Sequence, residues 1–228
     1  MKLLITGCKG QLGTEIQKQL RLGYSEIGTI PEELQNADVT AIDIDTLDLS
    51  DESAVMTYIS TLKPDIIINC AAYTNVDGCE TNRETAYQAN TIVPKNLALA
   101  AEANQAKLIH ISTDYVFDGK DNGYKPRTET DKPNPISAYG ETELQGELFV
   151  QQYCTRYFIV RTAWLYSYYG KNFVKTIVNA AKKYGKLEVV NDQLGNPTNA
   201  SDLAQVLLQL AVTDNYGLYH CTGEGICS

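Results

Sequence analysis

The sequence has little of what membrane proteins and nucleic-acid-binding proteins need. No apolar run approaches the length that spans a bilayer, and no signal-peptide pattern precedes the first predicted strand. Lysine and arginine total 19 against 28 acidic residues and form no basic cluster, so the formal net charge of −9 argues against nucleic acid or an anionic membrane surface as partner. We therefore expect a cytoplasmic protein with neither partner.

Histidine and paired cysteine are also scarce. The six cysteines, at positions 8, 70, 79, 154, 221 and 227, include no C-x-x-C pair, and only His110 and His220 could serve as co-ligands. We expect reduced thiols, mostly buried, and no metal site. Because 43% of the 228 residues are hydrophobic, the chain is able to bury one sizeable core.

The first thirteen residues carry a strong local pattern. Residues 3–5 form an apolar run typical of a parallel strand buried on both faces, and three glycines then lead into a helical pattern that begins near Gln11. Gly7 suits a tight turn, Gly10 a close approach to a pyrophosphate, and Gly13 close packing of the helix. Backbone N–H groups at the positive end of this helix would hold the phosphates. Three loop glycines also occur by chance, so the motif is weak by itself.

Strand and helix patterns alternate along the rest of the chain. The further strands are predicted at residues 39–42, 65–69, 107–111, 157–161, 187–190 and 216–221. The helices are predicted at residues 11–22, 51–62, 80–104 with a break near Pro94, 137–153, 172–184 and 201–211, with Ser137 and Ser201 as N-caps. This alternation predicts an α/β fold with a doubly wound parallel sheet and right-handed crossovers. Residues 120–135 are polar and carry three prolines, which predicts a surface loop over the cleft.

Several strand ends carry candidate functional side chains. Asp43 follows the second strand, where a carboxylate binds both hydroxyls of an adenosine ribose and repels a 2′-phosphate, which favours NAD. A solvated loop acid is the equally open alternative. The small residues at 70–74 would let a cofactor lie close to backbone. Thr113 is placed to hydrogen-bond a substrate carbonyl, although threonines at such positions often only satisfy a turn.

Longer stretches resemble a known family. They are ITGCKGQLG, INCAAYTNVDGCE, ISTDYVFDG, NPISAYGETELQGE, VRTAWLY, KNFVKT, VVNDQLGNPT and GLYHCTGEG. In this order, and over essentially the whole chain, they resemble the dTDP-4-dehydrorhamnose reductase family of extended short-chain dehydrogenases. The resemblance implies reduction of the 4-keto group of a dTDP-4-dehydro-6-deoxy-L-sugar to dTDP-L-rhamnose, with NADPH or NADH as cofactor. It also implies a Rossmann-type NAD(P)-binding domain over residues 1–165 and a partial sugar-nucleotide lobe over residues 166–228, interleaved with the core.

The same resemblance implies a set of site residues. In catalysis, Tyr139 would donate a proton to the developing alkoxide while Thr113 orients the carbonyl. The implied cofactor-binding residues are Gly7, Lys9, Gly10, Gln11, Leu12, Gly13, Asp43, Asp48, Leu49, Ala71, Ala72, Tyr73 and Tyr139. The implied substrate-binding residues are Thr74, Val76, Asp114 and Trp164, with packing as the alternative role of the tryptophan. Asn191, Gln193 and Thr198 lie in a family block that leads into the substrate lobe, with loop-turn chemistry as their alternative.

Glu143 departs from the family pattern, because it stands where a lysine is expected four residues after Tyr139. A lysine there lowers the tyrosine pKa and binds the nicotinamide ribose, whereas a carboxylate pushes the tyrosine pKa upward. The helix dipole contributes only about 0.3–1 kcal/mol, less than one pKa unit, and so cannot replace the ammonium. Reduction requires the protonated tyrosine, and Glu143 is still able to accept bonds from ribose hydroxyls. We therefore predict weak turnover, well below that of a lysine-bearing relative.

Two other functions stay open at this point. One is a non-catalytic nucleotide-binding or regulatory subunit. The β subunit of methionine adenosyltransferase is a regulatory relative of this kind with the same fold. The other is a reductase or epimerase of another nucleotide sugar. The resemblance also implies helices beyond residue 228 that complete the substrate lobe, so we expect exposed apolar surface that favours association. The sequence leaves NADH against NADPH open, and the oligomeric state as well, a homodimer included.

Overall fold

The computed structural model describes residues 1–120 and 125–228, and over these ranges it contains ten strands and eight α-helices. The strands are β1 Lys2–Thr6, β2 Tyr24–Ser25, β3 Gly28–Thr29, β4 Asp38–Ile42, β5 Ile66–Asn69, β6 Lys107–Thr113, β7 Tyr157–Thr162, β8 Leu165–Tyr166, β9 Thr198–Asn199 and β10 Gly217–His220. The helices are α1 Gln11–Leu22, α2 Glu52–Leu62, α3 Val76–Thr81, α4 Arg83–Tyr87, α5 Val93–Ala103, α6 Ala138–Tyr153, α7 Phe173–Tyr184 and α8 Ala200–Ala211. Short 3₁₀ turns cover Glu32–Leu34 and Asp114–Val116, and a π-helical turn covers Gln88–Ile92.

Six strands form one sheet in the order β10-β7-β6-β5-β1-β4, and every neighbouring pair is parallel. From β1 the chain crosses outward to β4 and then returns to β5 on the other side of β1. The winding direction therefore reverses between β1 and β5, and loops that diverge at such a point leave a crevice at the carboxyl edge of the sheet. The predicted doubly wound parallel fold is confirmed.

Alternate residues of the central strands feed two cores on opposite faces of the sheet. Leu3 and Ile5 pack with Ile16 of α1 and with the apolar side of α8. Leu4, between them, packs on the other face with Ile59 of α2 and with α5. Burial on both faces is why these strands have continuous apolar runs rather than an alternating pattern.

Three local predictions are wrong. Residues 187–190 form no strand, because this largely exposed segment has no strand beside it to complete a ladder. The N-cap of α8 is Asn199, whose side chain accepts a hydrogen bond from the N–H of Ser201, rather than Ser201 itself. The helical run predicted over residues 80–104 is interrupted at Asn82. From Arg83 the helical run continues through the π-helical turn into α5. Pro94 does not break it, because it lies in the first turn of α5, where the N–H that proline lacks is not required.

Helix α7 is far more exposed than the helices that pack on the sheet. None of the side chains of α7 is buried, and Phe173 and Tyr184 are both 66% exposed. The expected exposed apolar surface is therefore present, while association through it stays a prediction. Residues 125–135 form the predicted loop, and 121–124 of that loop lie outside the described residues. Across the described ranges, no helix combines the length and apolarity that crossing a membrane requires.

Candidate active site

The loop after β1 lies directly against the loop after β5. Gly7 has a φ of +62°, and a Cβ built on it would lie 2.7 Å from the carbonyl carbon of Cys70 and from the nitrogen of Ala71. A Cβ on Gly13 would lie 2.5 Å from the carbonyl oxygen of Gly7. Only glycine fits at both positions, because a side chain would separate the two loops or lift α1 off the turn.

The N-terminus of α1 faces the crevice without a protein cap. Gly10 is its N-cap and supplies no side-chain hydrogen bond, and the first turn holds no acidic residue. Free N–H groups and the positive end of the helix dipole suit a phosphate at this position.

Two cavities, of about 590 and 610 Å³, meet at Gly10 and residues 70–72. Among the residues predicted to bind cofactor, the first cavity is lined by Gly7, Lys9, Gly10, Asp43, Asp48, Leu49, Ala71, Ala72 and Tyr73. Of the predicted site residues, the second is lined by Gln11, Leu12, Thr74, Val76, Thr113, Asp114, Tyr139, Glu143 and Trp164. The cleft brings together every predicted catalytic, cofactor and substrate residue except Gly13, which is buried and lines neither cavity.

Asp43 is fixed to the glycine turn. Its Oδ2 accepts the backbone N–H of Lys9 at 3.0 Å, and its Oδ1 accepts that of Ile44 at 2.9 Å. The Lys9 ammonium turns away to pair with Asp45 at 2.7 Å. An ionised carboxylate has about four acceptor sites, so Asp43 keeps acceptor capacity for a ribose in the first cavity.

Thr113 is held at the end of β6 by its own turn. Its hydroxyl accepts the N–H of Tyr115 at 3.2 Å and donates to the Asp114 carboxylate at 3.1 Å. Burial raises the pKa of Asp114, an effect that the bond from Thr113 partly offsets. Thr113 thus satisfies a turn and also lines the second cavity, while its hydrogen bond to a substrate carbonyl stays a prediction.

Close helix packing places Tyr139 beside Thr113. Ser137 caps α6 as predicted, its hydroxyl accepting the N–H of Gly140 at 3.1 Å. A Cβ on Gly140 would lie only 2.2 Å from the carbonyl oxygen of Tyr115, so the first turn of α6 lies directly on the turn that follows Thr113. The Tyr115 ring packs edge to face against the Tyr139 ring, with centroids 5.5 Å apart.

The hydroxyl of Tyr139 is held protonated. Burial raises its pKa well above 10, the charge of Glu143 raises it further, and hydrogen bonding to Thr113 only partly opposes the shift. The predicted upward pKa shift is confirmed, although burial contributes more to it than the carboxylate does.

Glu143 itself differs from the anion that the sequence suggested. The residue is 2% exposed, and burial, followed by repulsion from Glu147, raises its pKa to about 8, while a hydrogen bond with Tyr139 acts in the opposite direction. At pH 7 the group is therefore mainly a neutral carboxylic acid that is able to donate a hydrogen bond.

Glu147, one turn further along α6, is the carboxyl that contacts a cation. Its carboxylate accepts bonds from Ser112 Oγ at 2.5 Å and from Arg161 Nε and Nη2 at 2.7 and 2.6 Å. Glu147 and Arg161 are 1% and 4% exposed, so they form a buried bidentate ion pair. Glu143 has no such cation beside it, in keeping with its raised pKa.

Trp164 has the packing role, and its contact with substrate stays a prediction. Its ring packs on Gly195, where a Cβ would lie 2.5 Å from the indole, and it lines the second cavity. Asn191 and Gln193 are exposed and line neither cavity. Thr198 serves its own loop, since its hydroxyl donates to the carbonyl of Asn196 and accepts the N–H of Gly223.

Sequence reasoning missed part of the cleft wall. Thr85, Gln88, Ala89 and Val93 line the first cavity, and Lys171 and Phe173 line the second. Periodicity predicted helices at all of these positions except Lys171, but it carries no signal for which helix face meets a cavity.

The cysteines form no disulfide. Cys79 and Cys154 are buried, Cys227 is exposed, and the other three are half-buried, so burial is less general than expected. In residues 1–120 and 125–228 there is no group of three or more His, Cys, Asp or Glu side chains placed to hold a metal ion.

Fold and site together define a protein of the Rossmann-type dinucleotide-binding class, with a threonine and a tyrosine beside the cofactor crevice. The sequence profile of the family described as RmlD substrate binding domain matches residues 1–228. A dTDP-4-dehydrorhamnose reductase from Aggregatibacter actinomycetemcomitans is 40% identical over 98% of this chain and 74% of its own length. The chain belongs to the dTDP-4-dehydrorhamnose reductase family, which confirms the resemblance.

Solved structures agree with this assignment. A dTDP-4-dehydrorhamnose reductase from Clostridium acetobutylicum is 49% identical, with a TM-score of 0.92, over 100% of this chain and 76% of that one. Another from Bacillus anthracis, in complex with NADP, is 40% identical with a TM-score of 0.89 over the same shares. The present chain spans about three quarters of the length of these relatives.

Proposed function

We propose that the chain reduces the 4-keto group of a dTDP-4-dehydro-6-deoxy-L-sugar to dTDP-L-rhamnose, with NADPH or NADH as hydride donor. The observation that carries this proposal is the pair of Thr113 and Tyr139, which line a cavity continuous with the glycine turn. The identity to named reductases supports the choice of reaction and sugar.

The cleft fits a dinucleotide. The uncapped N-terminus of α1 would take the pyrophosphate, and Asp43 would take the adenosine ribose. The Gly7 turn lies directly against the backbone of residues 70–71, and residues 70–72 line both cavities. When bound, the reduced nicotinamide supplies a hydride to the carbonyl carbon.

The remaining chemistry belongs to two hydroxyls. The hydroxyl hydrogen of Thr113, which now bonds Asp114, is able to rotate towards a substrate oxygen and orient the carbonyl. Tyr139 is the general acid, because its raised pKa keeps the proton on the phenol until the carbonyl oxygen gains charge. Trp164, Thr74, Val76 and Asp114 would contact the sugar nucleotide.

The substrate class is tested by NADPH oxidation with matched sugars. The chain should oxidise NADPH faster with the dTDP-linked 4-dehydro-6-deoxy sugar than with its UDP-linked counterpart. Preference for the UDP sugar would support a reductase of another nucleotide sugar. No oxidation with either sugar, with NADPH still bound, would support a non-catalytic nucleotide-binding subunit, the function that Glu143 at the lysine position favours.

Glu143→Lys should raise turnover at pH 7 by roughly tenfold or more, since an ammonium near a tyrosine lowers its pKa by about 1–3 units. Steady-state NADPH oxidation measures the change. Glu141→Lys is the matched control, because Glu141 lies on the same helix with its side chain 52% exposed. Equal turnover in the wild type and in Glu143→Lys would remove the proposal that Glu143 impairs the enzyme.

Gly7→Ala should weaken NADPH binding by roughly tenfold, equivalent to about 1.4 kcal/mol, because the new Cβ forces residues 70–71 away from the turn. Fluorescence titration measures the affinity. Gly23→Ala is the control: Gly23 has a φ of +82°, but no atom lies within 4 Å of its added Cβ. If both variants bound NADPH equally well, the contact between the two loops would have no part in binding.

Three further points stay predictions: a division into residues 1–165 and 166–228, a cytoplasmic location, and a homodimer. The last strand of the main sheet, β10, lies within residues 166–228, in keeping with a lobe interleaved with the core.

A further inference from the structure

Tyr139 and Glu143 form a buried pair of proton-carrying side chains in the second cavity. They lie one helical turn apart on α6, they share a helix face, and they are 9% and 2% exposed. Both residues line the cavity, as does Thr113. Because this spacing makes the two side chains neighbours, a proton is able to pass from the carboxyl to the phenolic oxygen without a rearrangement of the backbone.

The surroundings of this pair hold mainly acidic groups. The titratable groups that face the pair are Glu147 from α6, Cys79 from α3, Asp114 from the turn after β6 and Lys171 from the loop before α7. Arg161 is already paired with Glu147, so it supplies no free cation to Glu143. Lys171 is exposed at the cavity wall. The neutral, proton-bearing form of Glu143 is the one that this environment favours.

We propose that Glu143 is the proton reservoir for the reduction, reprotonating Tyr139 after the tyrosine has given its proton to the sugar oxygen. This inference rests on the proposed function and deepens it. Each reduction consumes one hydride, supplied by the cofactor, and one proton, which leaves the Tyr139 Oη. The phenolate then takes a proton from the Glu143 carboxyl, and the resulting carboxylate is reprotonated by solvent before the next turnover.

The direction of the second transfer follows from the two acidities. The phenol binds its proton more tightly than the carboxyl does, since the pKa of Tyr139 lies well above 10 and that of Glu143 is about 8. The transfer is therefore downhill. As the pH rises through about 8 the reservoir empties, and the remaining carboxylate makes a phenolate next to it still less favourable.

Glu143→Gln tests the reservoir, because glutamine keeps the shape and the hydrogen bonds of the side chain but has no proton to release. Two readouts are needed: turnover from pH 6 to pH 10, and infrared difference spectra of the full chain without ligands. Glu141→Gln, on the exposed side of α6, is the control for both.

The expected result has two parts. The infrared difference between wild type and Glu143→Gln should show a carboxylic-acid carbonyl band at pH 6 that disappears with a midpoint near pH 8. Wild-type turnover should fall as the pH rises through about 8, while Glu143→Gln should lack this decline and turn over roughly 10²-fold more slowly at pH 6.

Three results would overturn the proposal. An absent carboxylic-acid band at pH 6 would show that Glu143 is ionised and holds no proton to give. Unchanged turnover and an unchanged pH profile in Glu143→Gln would remove the relay and leave the reductase intact. Absence of turnover in the wild type at every pH would overturn the proposed function, and the relay with it, whatever the infrared band shows.

Discussion

Replacement of Tyr139 by phenylalanine should lower turnover by roughly 10²–10⁴-fold, the usual contribution of a positioned general acid. Phenylalanine retains the ring that packs edge to face on Tyr115 and removes only the hydroxyl. The fold should therefore survive, together with NADPH affinity, because the first cavity is built from other elements. NADPH oxidation with the dTDP sugar measures the loss, and fluorescence titration checks the affinity.

Tyr115→Phe is the matched control for that experiment. The Tyr115 hydroxyl has no part in the proposed proton transfer, although its ring lies in the same cavity. A Tyr139→Phe chain with wild-type turnover would show that another group donates the proton. Equal losses in the two variants would show that the rate has no specific dependence on the Tyr139 hydroxyl.

Replacement of Glu147 by alanine should destabilise the chain by roughly 3–5 kcal/mol, the usual cost of breaking a buried ion pair by removing one partner. The guanidinium of Arg161 would lose its bidentate acceptor, and its Nη1 already lacks a hydrogen-bond partner among the described residues. The hydroxyl of Ser112 would lose the acceptor that it contacts at 2.5 Å. Urea unfolding measures the change in free energy.

Glu141→Ala is the control for stability, since Glu141 lies on the solvent side of the same helix. It should change the free energy of unfolding by less than about 0.5 kcal/mol. A loss of under 1 kcal/mol in Glu147→Ala, comparable to that of an exposed pair, would contradict the buried geometry of Glu147 and Arg161.

Much of the fold could be predicted from the sequence because its signals are local. The apolar run of β1, the glycines after it and the Ser137 cap each act through residues near them in the chain. The absence of a strand at residues 187–190 could not be predicted in the same way. Pairing requires a neighbouring strand, and an apolar run does not show whether one is present.

The same distinction between local signals and tertiary contacts applies to the candidate site. Residues at strand ends and at the starts of helices were predictable, because parallel strands bring their carboxyl ends to one edge. The raised pKa of Glu143 was not predictable, since it depends on burial beneath other elements and on the neighbouring Glu147. The part of the first cavity formed by α4 and the π-helical turn also depends on tertiary packing.

A single-turnover experiment decides whether the chain reduces the sugar with Glu143 in place of the family lysine. Chain in excess over the dTDP-4-dehydro-6-deoxy-L-sugar is mixed with NADPH at pH 7, and the oxidised cofactor and the sugar product are both quantified by chromatography. We expect one dTDP-L-rhamnose to form for each NADPH oxidised. Bound NADPH that stays reduced, with the sugar unchanged, would contradict it.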